Sequence, residues 1–180
     1  MKAIAEVIVL AMLSLPSFAT QRGSQPSPKF TARALKQIQH EILMLPYYGV
    51  FDAIGFKMEG YNVTLLGQVT HATLKSDAEH AIKGIEGIEK INNQIVILPP
   101  SPMDDRLRHQ LFRAIYEYGP LQRYGVGSNR PIHIIVDRGH VTLEGVVDSP
   151  GDRNLVNIRA NGVPGVFSVS NRLQVPSKKH

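Results

Sequence analysis

The chain has 180 residues, with 20 lysines and arginines against 15 aspartates and glutamates, and it contains no cysteine. Without cysteine it cannot form a disulfide, a lipid-anchored N-terminal cysteine, a thiol nucleophile or a cysteine-ligated metal site. The net charge of +5 favours anionic partners such as lipid headgroups, acidic cell-wall polymers or nucleic acid, although an excess of this size can also serve solubility alone.

The first 19 residues have the layout of a secretory signal peptide. A basic start at Lys2 precedes an apolar run over residues 3–15, and the small residues Ser17 and Ala19 stand before a cleavage site after position 19. The run is shorter than the about 20 apolar residues that cross a bilayer. Glu6 interrupts it, and an N-terminal amphipathic or buried helix is the alternative. We expect a bacterial protein that is exported to the periplasm, and export argues against nucleic acid as a partner.

Two stretches rich in proline divide the chain after position 19. Three of the four residues at 99–102 are proline, which excludes a helix or a central strand there. The polar residues after the signal also indicate a flexible linker. The predicted boundaries are a linker at 20–30, a first domain at 31–98, a linker at 99–102, a second domain at 103–176 and a tail at 177–180.

The two domains are copies of one unit. Shifting the chain by 78 residues aligns 63–69 with 141–147, and eight of the 40 positions from 58 to 97 are then identical. The second copy carries about five extra residues between its first helix and its hairpin, within 121–130. The copies therefore differ most in the segment before the hairpin.

Each copy is predicted to run helix, strand, strand, helix, strand. Apolar residues at helical spacing predict the first helices, namely Leu35, Ile38, Ile42 and Leu45 in copy one and Leu107, Leu111, Ile115 and Tyr118 in copy two. Thr31 is the expected N-cap of the first helix. Alternating apolar runs around short glycine-containing connections predict hairpins. The expected segments are hairpins at 51–58 with 63–69 and at 132–136 with 141–147, second helices at 73–83 and 150–161, and final strands at 88–97 and 166–175.

Gly67 and Gly145 lie on the apolar face of the second hairpin strands. We expect them to leave room for a helix that crosses this face. The strand after each second helix should lie beside the hairpin. The predicted fold class is α+β, with two tandem αββαβ modules, each a three-stranded mixed sheet with two helices packed on one face.

The order of these motifs resembles the BON domain. In copy two the matching segments are 141–147, Val-Thr-Leu-Glu-Gly-Val-Val, and 165–175, which begins Gly-Val-Phe-Ser-Val-Ser-Asn; in copy one they are 63–69 and 87–97. Tandem BON proteins of the osmotically inducible periplasmic type look most similar. The resemblance implies the αββαβ fold, a bacterial envelope location and binding of phospholipid membranes or envelope partners, and it implies no catalysis.

The best binding candidate is the first helix of copy two with the loop that follows it. Cationic side chains beside an aromatic suit an anionic membrane surface, where each basic residue contributes about 1 kcal/mol and tyrosine anchors at the interface. The candidate residues are Arg106, Arg108, His109, Arg113, Arg123, Tyr124 and Arg130. A less basic candidate in copy one comprises Tyr47, Tyr48 and Phe51. The simpler alternative for both is a solvated surface with tyrosines at the edge of the core.

Catalytic, metal and cofactor sites are not predicted. No two of the seven histidines form a helical metal pair, and His133 with His140, on one hairpin, makes a weak site at best. No Gly-x-Ser-x-Gly nucleophile motif is present. We predict a non-enzymatic module, peripheral on an anionic phospholipid surface, that supports envelope integrity under stress. The alternatives are an adaptor that binds another envelope protein through sheet edges or the cleft between the copies and, with the least support, an enzyme.

Overall fold

The computed structural model describes residues 26–127 and 129–176. The predicted signal peptide, most of the first predicted linker, Ser128 and the predicted tail at 177–180 lie outside the described residues. The described residues form two similar units, here called module one (28–98) and module two (102–176).

Each module has a helix, a hairpin, a second helix and a final strand. Module one contains α1 (Pro28–Leu43), β1 (Ala53–Glu59), β2 (Asn62–Val69), α2 (Ala72–Lys83), β3 (Lys90–Asn93) and β4 (Val96–Ile97). Module two contains α3 (Pro102–Tyr116), a 3₁₀ helix (Gly119–Gly125), β5 (Ile132–Asp137), β6 (His140–Gly145), α4 (Pro150–Asn161) and β7 (Ser168–Asn171). The longer connection predicted in copy two contains the 3₁₀ helix.

Both sheets are mixed, as predicted. β1 and β2 are antiparallel, with Glu59 opposite Asn62, and β2 runs parallel to β3 and β4. β5, β6 and β7 repeat this order, with Asp137 opposite His140. The final strand of module one is divided into β3 and β4 at Ile95, whose side chain is buried in the core. The predicted αββαβ order is therefore confirmed in both modules.

The first helix begins earlier than predicted. Ser27 is the N-cap of α1, and its hydroxyl accepts a hydrogen bond from the Phe30 N–H at 3.2 Å. Pro28 follows within the first turn, where a backbone N–H has no partner inside the helix. The prediction of Thr31 as N-cap is wrong because Ser27 with Pro28 already starts the helix one turn upstream.

One face of each hairpin carries the core of its module. Its central buried residues are Val63, Leu65 and Val69 in β2, Val141 and Leu143 in β6, and Val147 just after β6. The helix stripes predicted to cover this face are also buried, with two exceptions: Leu35 is 39% exposed, and Tyr118, beyond the end of α3, is only partly buried. Ala34 takes the buried position instead, because Ala34, Ile38 and Ile42 follow one another at a spacing of four residues along one stripe of α1.

The two modules meet at the α1–β1 loop of module one. The Val50 carbonyl accepts a hydrogen bond from the Ile134 N–H of β5 at 2.6 Å. The Phe51 ring packs edge-on against His109 and Phe112 of α3, with ring centroids 5.6 and 6.3 Å apart. A small buried cluster between the modules consists of Ala53, Leu98 and Ile135. Module one therefore docks on β5, the edge strand of the second sheet. It covers the face of β5 that α3 and α4 of module two leave open.

Gly67 and Gly145 occupy equivalent positions, with φ of 126° and 119°. A Cβ would stand 2.0 Å from the Ala53 carbonyl oxygen at Gly67 and 1.9 Å from the Pro131 carbonyl oxygen at Gly145. The predicted reason, room for a crossing helix, is wrong. Glycine is required because the backbone of the second hairpin strand comes too close to the backbone at the start of the first hairpin strand to leave room for a side chain.

Replacing Gly145 with alanine tests this contact. We expect the free energy of unfolding of Gly145→Ala to fall by about 3 kcal/mol, because a side chain there meets both a strained φ and a backbone oxygen. The matched control is Gly55→Ala, since a Cβ at Gly55 meets nothing within 4 Å. Urea unfolding measures both changes, and equal stabilities for the two variants would contradict the assignment.

Candidate functional site

The outward side of α3 carries two exposed arginines. Arg106 and Arg113 lie on this side with Gln110, and the Arg106 guanidinium contacts the Met103 sulfur at 3.3 Å. Within 26–127 and 129–176, no carboxylate lies within ion-pair distance of Arg106 or Arg113. Their charge is therefore available to an anionic surface.

A groove of about 320 Å³ runs between α3 and α4. Its lining residues are Gln110, Arg113, Ala114, Ile158, Arg159, Gly162, Val163 and Pro164. Ile158 projects from α4 beside it and is 66% exposed. Arg159 donates a hydrogen bond from Nε to the Ala114 carbonyl at 2.9 Å and lies over the Tyr118 ring at 4.5 Å, so it joins the two helices. The groove thus brings an exposed apolar side chain close to Arg113 of α3.

The loop after α4 adds an exposed aromatic side chain near the start of α3. Phe167 is 79% exposed, its ring packs edge-on against His140 at 4.8 Å, and its N–H donates to the Gly139 carbonyl. The buried carboxylate of Asp104, in the first turn of α3, accepts hydrogen bonds from the N–H groups of Arg138 and Gly139 at 2.9 and 3.0 Å. Asp104 thereby holds this hairpin turn, with the exposed Arg138 side chain, against the helix.

We name the exposed basic and apolar residues at these places the basic–apolar face of module two. Its members are Met103, Arg106, Arg113, Arg138, Ile158 and Phe167. Arg138 pairs with Asp137 at 3.2 Å, so its charge is partly neutralised. Of the residues predicted from sequence, only Arg106 and Arg113 belong to this face. A comparison of the copies could have revealed Phe167 and Ile158, since Glu89 and His80 stand at these places in copy one.

Two of the predicted contact residues are buried. Arg108 is 4% exposed, and its guanidinium donates to Asp105 at 2.5 Å and to the Val136 carbonyl at 2.6 Å. Tyr124 is also buried, and its hydroxyl accepts from the Asp148 N–H at 2.8 Å. Helical spacing places Arg108 on one side of α3, but it does not show that this side faces the edge of β5. We assign both side chains to the fold rather than to a binding surface.

Arg123 anchors the longer loop of module two to α4. Its guanidinium donates to the Asp152 carboxylate at 2.6 Å and lies over the Tyr124 ring at 4.7 Å. The same carboxylate accepts from the hydroxyls of Tyr124 and Ser149 at 3.0 and 2.7 Å. Burial raises the pKa of Asp152, but the hydrogen bonds from Ser149, Arg123 and Tyr124 outweigh it and leave the pKa below its usual value. The segment predicted as a contact loop is thus held in place by a charged network.

The remaining predicted residues lie on the side of α3 that faces module one. The His109 ring meets Phe51, as described above, although the residue keeps an exposed edge. The Arg130 guanidinium lies over the Phe112 ring at 5.5 Å and donates from Nε to the Gly125 carbonyl at 3.3 Å. Both residues help to shape the junction between the modules.

The aromatic candidate of copy one also lies at this junction. Tyr47 is exposed with φ of 65°, whereas Phe51 packs on module two. The Tyr48 hydroxyl accepts a hydrogen bond from the Ile54 N–H at 3.3 Å, and burial raises the pKa of Tyr48 to about 12. Only one of the three side chains is therefore open to a partner.

His133 is covered by module one. It lies on the outer face of β5, its ring is 5.6 Å from the Tyr48 ring, and its buried Nδ1 has no hydrogen-bond partner among the described residues. Burial lowers its pKa, while the nearby backbone of Asp52 and Gly49 and the carboxylates of Asp52 and Glu144 offset part of the shift. The docked modules therefore favour the neutral imidazole.

His133 and His140 do not form a metal site. Along the hairpin His133 stands opposite Glu144, whereas His140 stands opposite Asp137, which places the backbone positions of the two histidines about 13 Å apart along the strands. Among the described residues, no group of three or more histidine or acidic side chains is placed to hold a metal ion. In the same part of the chain, none of the helices has the length and hydropathy needed to cross a bilayer.

The chain belongs to the BON domain family, whose model matches residues 44–99 and 121–177, one segment in each module. BON domains are binding modules, and membership supports a periplasmic or membrane-associated binding role. No curated protein matches the chain.

Two similar solved structures are of CdsD, a structural protein of the Type III secretion system of Chlamydia trachomatis. Both are 14% identical to this chain, with a TM-score of 0.29. One, of the C-terminal domain, covers 79% of this chain and 97% of its own, and the other covers 81% and 94%.

Mild acid should loosen the junction between the modules. Because the pKa of His133 is lowered on docking, docking is stable above the ordinary histidine pKa of 6.5 and weakens as the pH falls below that value. We expect the hydrogen-exchange protection factor of the Ile134 amide, which bonds to Val50, to fall between about pH 7.5 and 5.5. His133→Gln should abolish this dependence, and His140→Gln, an exposed histidine on the same hairpin, should retain it. A protection factor that stays constant in the unmodified protein would contradict the prediction.

Proposed function

We propose that the protein attaches reversibly to anionic phospholipid at the cell envelope through the basic–apolar face of module two. The observation that carries the proposal is the exposure of Phe167 and Ile158 beside Arg106 and Arg113, which among the described residues have no acidic partner. Large apolar side chains exposed among basic ones are typical of a surface that meets lipid headgroups. Membership of the BON family supports the same role.

The energetics suit reversible attachment. Each basic residue near an anionic membrane contributes about 1 kcal/mol, and a partly inserted phenylalanine or isoleucine adds about 1 to 2 kcal/mol. The contribution of the arginines falls as the ionic strength rises, whereas that of the apolar side chains does not. A peripheral protein held in this way can leave the membrane, in contrast to one held by a transmembrane helix.

The equivalent surface of module one lacks these features. Glu86 and Glu89 occupy the places of Pro164 and Phe167. Arg33 of α1 is 3.7 Å from Glu86, so this arginine has an acidic partner. The basic excess that could attract a membrane is therefore concentrated on module two.

Location and physiological role follow from the attachment. We assign the protein to the bacterial periplasm, with the residues before position 20 as the export signal, and we assign it a role in envelope integrity under stress. Binding to phospholipid at the envelope is consistent with such a role, because a peripheral protein can link the membrane surface to other envelope components. We propose a binding role rather than an enzymatic one because BON domains are binding modules.

Reversing the charge of Arg106 and Arg113 tests the proposal. We expect Arg106→Glu with Arg113→Glu to reduce partition to vesicles that contain phosphatidylglycerol or cardiolipin by about thirtyfold at low salt, since the loss of two basic contacts amounts to about 2 kcal/mol. Phe167→Ala should weaken binding by about tenfold and leave its salt dependence unchanged. Sedimentation of protein with vesicles measures both.

The matched control reverses two exposed charges on α1. Arg33→Glu with Lys36→Glu makes the same change in net charge on module one and should alter vesicle binding by less than about threefold, a residual long-range effect. Equal losses for the two pairs would show a nonspecific charge effect. Absence of binding by the unmodified protein to either lipid at low salt would refute the lipid attachment itself.

A further inference from the structure

The edge strand of module two is capped at three points by hydrogen bonds. In the hairpin register Asp137 pairs with His140, so the alternating residues Ile132, Ile134 and Val136 direct their backbone groups away from β6. Each of the three is met from outside: the Tyr116 hydroxyl donates to the Ile132 carbonyl, the Ile134 N–H donates to Val50, and Arg108 donates to the Val136 carbonyl. Three of the six outward backbone groups of β5, namely two carbonyls and one N–H, therefore have a hydrogen-bond partner.

The equivalent strand of module one has the same register. Glu59 pairs with Asn62, so Ile54, Phe56 and Met58 direct their backbone groups away from β2. The Ile54 N–H reaches the Tyr48 hydroxyl. Among the described residues, no group bonds the Ile54 carbonyl or the outward N–H and C=O groups of Phe56 and Met58.

The difference between the two edges has a cause in the first helices. Ile38 and Ile42 of α1 occupy the places of Leu111 and Ile115 in α3, a shift of 73 residues. By the same shift, Leu35 and Leu43 stand where α3 carries Arg108 and Tyr116. Leucine has no polar group that could meet a strand edge, so α1 leaves β1 uncapped where α3 caps β5.

A groove lies along the open edge. It has a volume of about 320 Å³, at the lower end of the range for ligand sites, and it separates β1 from α1 on one side and from the second sheet on the other. The residues that line it are Gln39, Ile42, Leu43, Tyr48, Ala53, Ile54, Gly55, Phe56, His133, Glu144 and Gly145. Apolar side chains form the wall next to α1, whereas His133 and Glu144 make the opposite wall polar.

We infer that the β1 edge binds an extended peptide segment of a partner protein by strand addition. A strand added to a sheet lies about 4.8 Å from its neighbour, which places it in this groove. Its backbone would bond the open groups of Phe56 and Met58, its apolar side chains would face Ile42 and Leu43, and the alternate polar ones would face Glu144. The equivalent edge of module two already makes such a backbone bond, in which the Ile134 N–H donates to the Val50 carbonyl. This interaction uses a different surface from the lipid attachment and does not depend on it.

A peptide library provides the probe. Peptides of about nine residues with alternating apolar and polar side chains are selected on the full chain, and the tightest is synthesised. We expect the amides of Phe56 and Met58 to become protected from hydrogen exchange in the complex, because strand addition covers them. Failure to select any specific peptide, or a bound peptide that leaves both amides unprotected, would overturn the inference.

Grafting the caps of module two into module one is the second test. Leu35→Arg with Leu43→Tyr should close the β1 edge and weaken peptide binding by about tenfold, since the donors compete for the same backbone groups. Leu35→Met with Leu43→Phe supplies similar bulk without donors and should bind within about twofold of the unmodified protein. Equal weakening by both pairs would show that bulk, and not edge pairing, governs binding, and would overturn the inference.

Two further variants complete the design. Phe56→Pro removes the central open N–H of β1 and should abolish binding, provided that its circular dichroism spectrum matches that of the unmodified protein. Arg106→Glu with Arg113→Glu should leave peptide binding unchanged while vesicle binding falls. Loss of peptide binding in this last variant would place the peptide on the basic–apolar face and would overturn the assignment to β1.

Discussion

The hydrogen bond from the Ile134 N–H to the Val50 carbonyl, at 2.6 Å, joins the two modules at a point on which much of the surface depends. It closes the centre of the β5 edge and brings Phe51 against α3. An unpaired edge strand tends to associate with other chains, so covering it also protects module two from aggregation. Module one covers one side of α3. The opposite side, next to α4, remains exposed and carries the arginines and apolar side chains of the basic–apolar face.

The two copies share the framework of their cores and differ at a few positions around it. The hairpin faces, the strained glycines and the final strands recur in both modules. The differences lie at Arg108 against Leu35, Tyr116 against Leu43, and Phe167 against Glu89. Arg108 and Tyr116 cap the edge of β5, whereas the leucines of module one cannot cap β1. Phe167 gives module two an exposed aromatic side chain. We propose that these few differences give each copy its own kind of partner.

Much of the fold could be predicted from the sequence, because apolar periodicity and the internal repeat both report local burial. Hairpins, helices and final strands lie within a few residues of their expected positions. Leu35 was placed wrongly in the core because a neighbouring alanine, a weak hydrophobic signal, takes the buried position. The role of Gly67 was also misjudged, since its contact with the Ala53 carbonyl depends on backbone geometry that apolar spacing does not report.

The candidate site was less predictable than the fold. Arg108 and Tyr124 carry the chemistry of a membrane contact, yet burial and hydrogen bonds commit them to the fold. Phe167 was overlooked because one aromatic residue in a strand pattern indicates core, and only the loop before β7 turns it outward. The junction between the modules depends on a loop that meets an edge strand more than 80 residues further along the chain, and no local pattern encodes that contact.

The most direct measurement of the proposed membrane contact is the paramagnetic broadening of backbone amide signals by headgroup spin-labelled lipid in phosphatidylglycerol-containing nanodiscs. The largest broadening is predicted at Arg106, Ile158 and Phe167, with the amides of Phe56 and Met58 in β1 little affected. Broadening centred on module one, or spread evenly over both modules, would contradict attachment through the basic–apolar face.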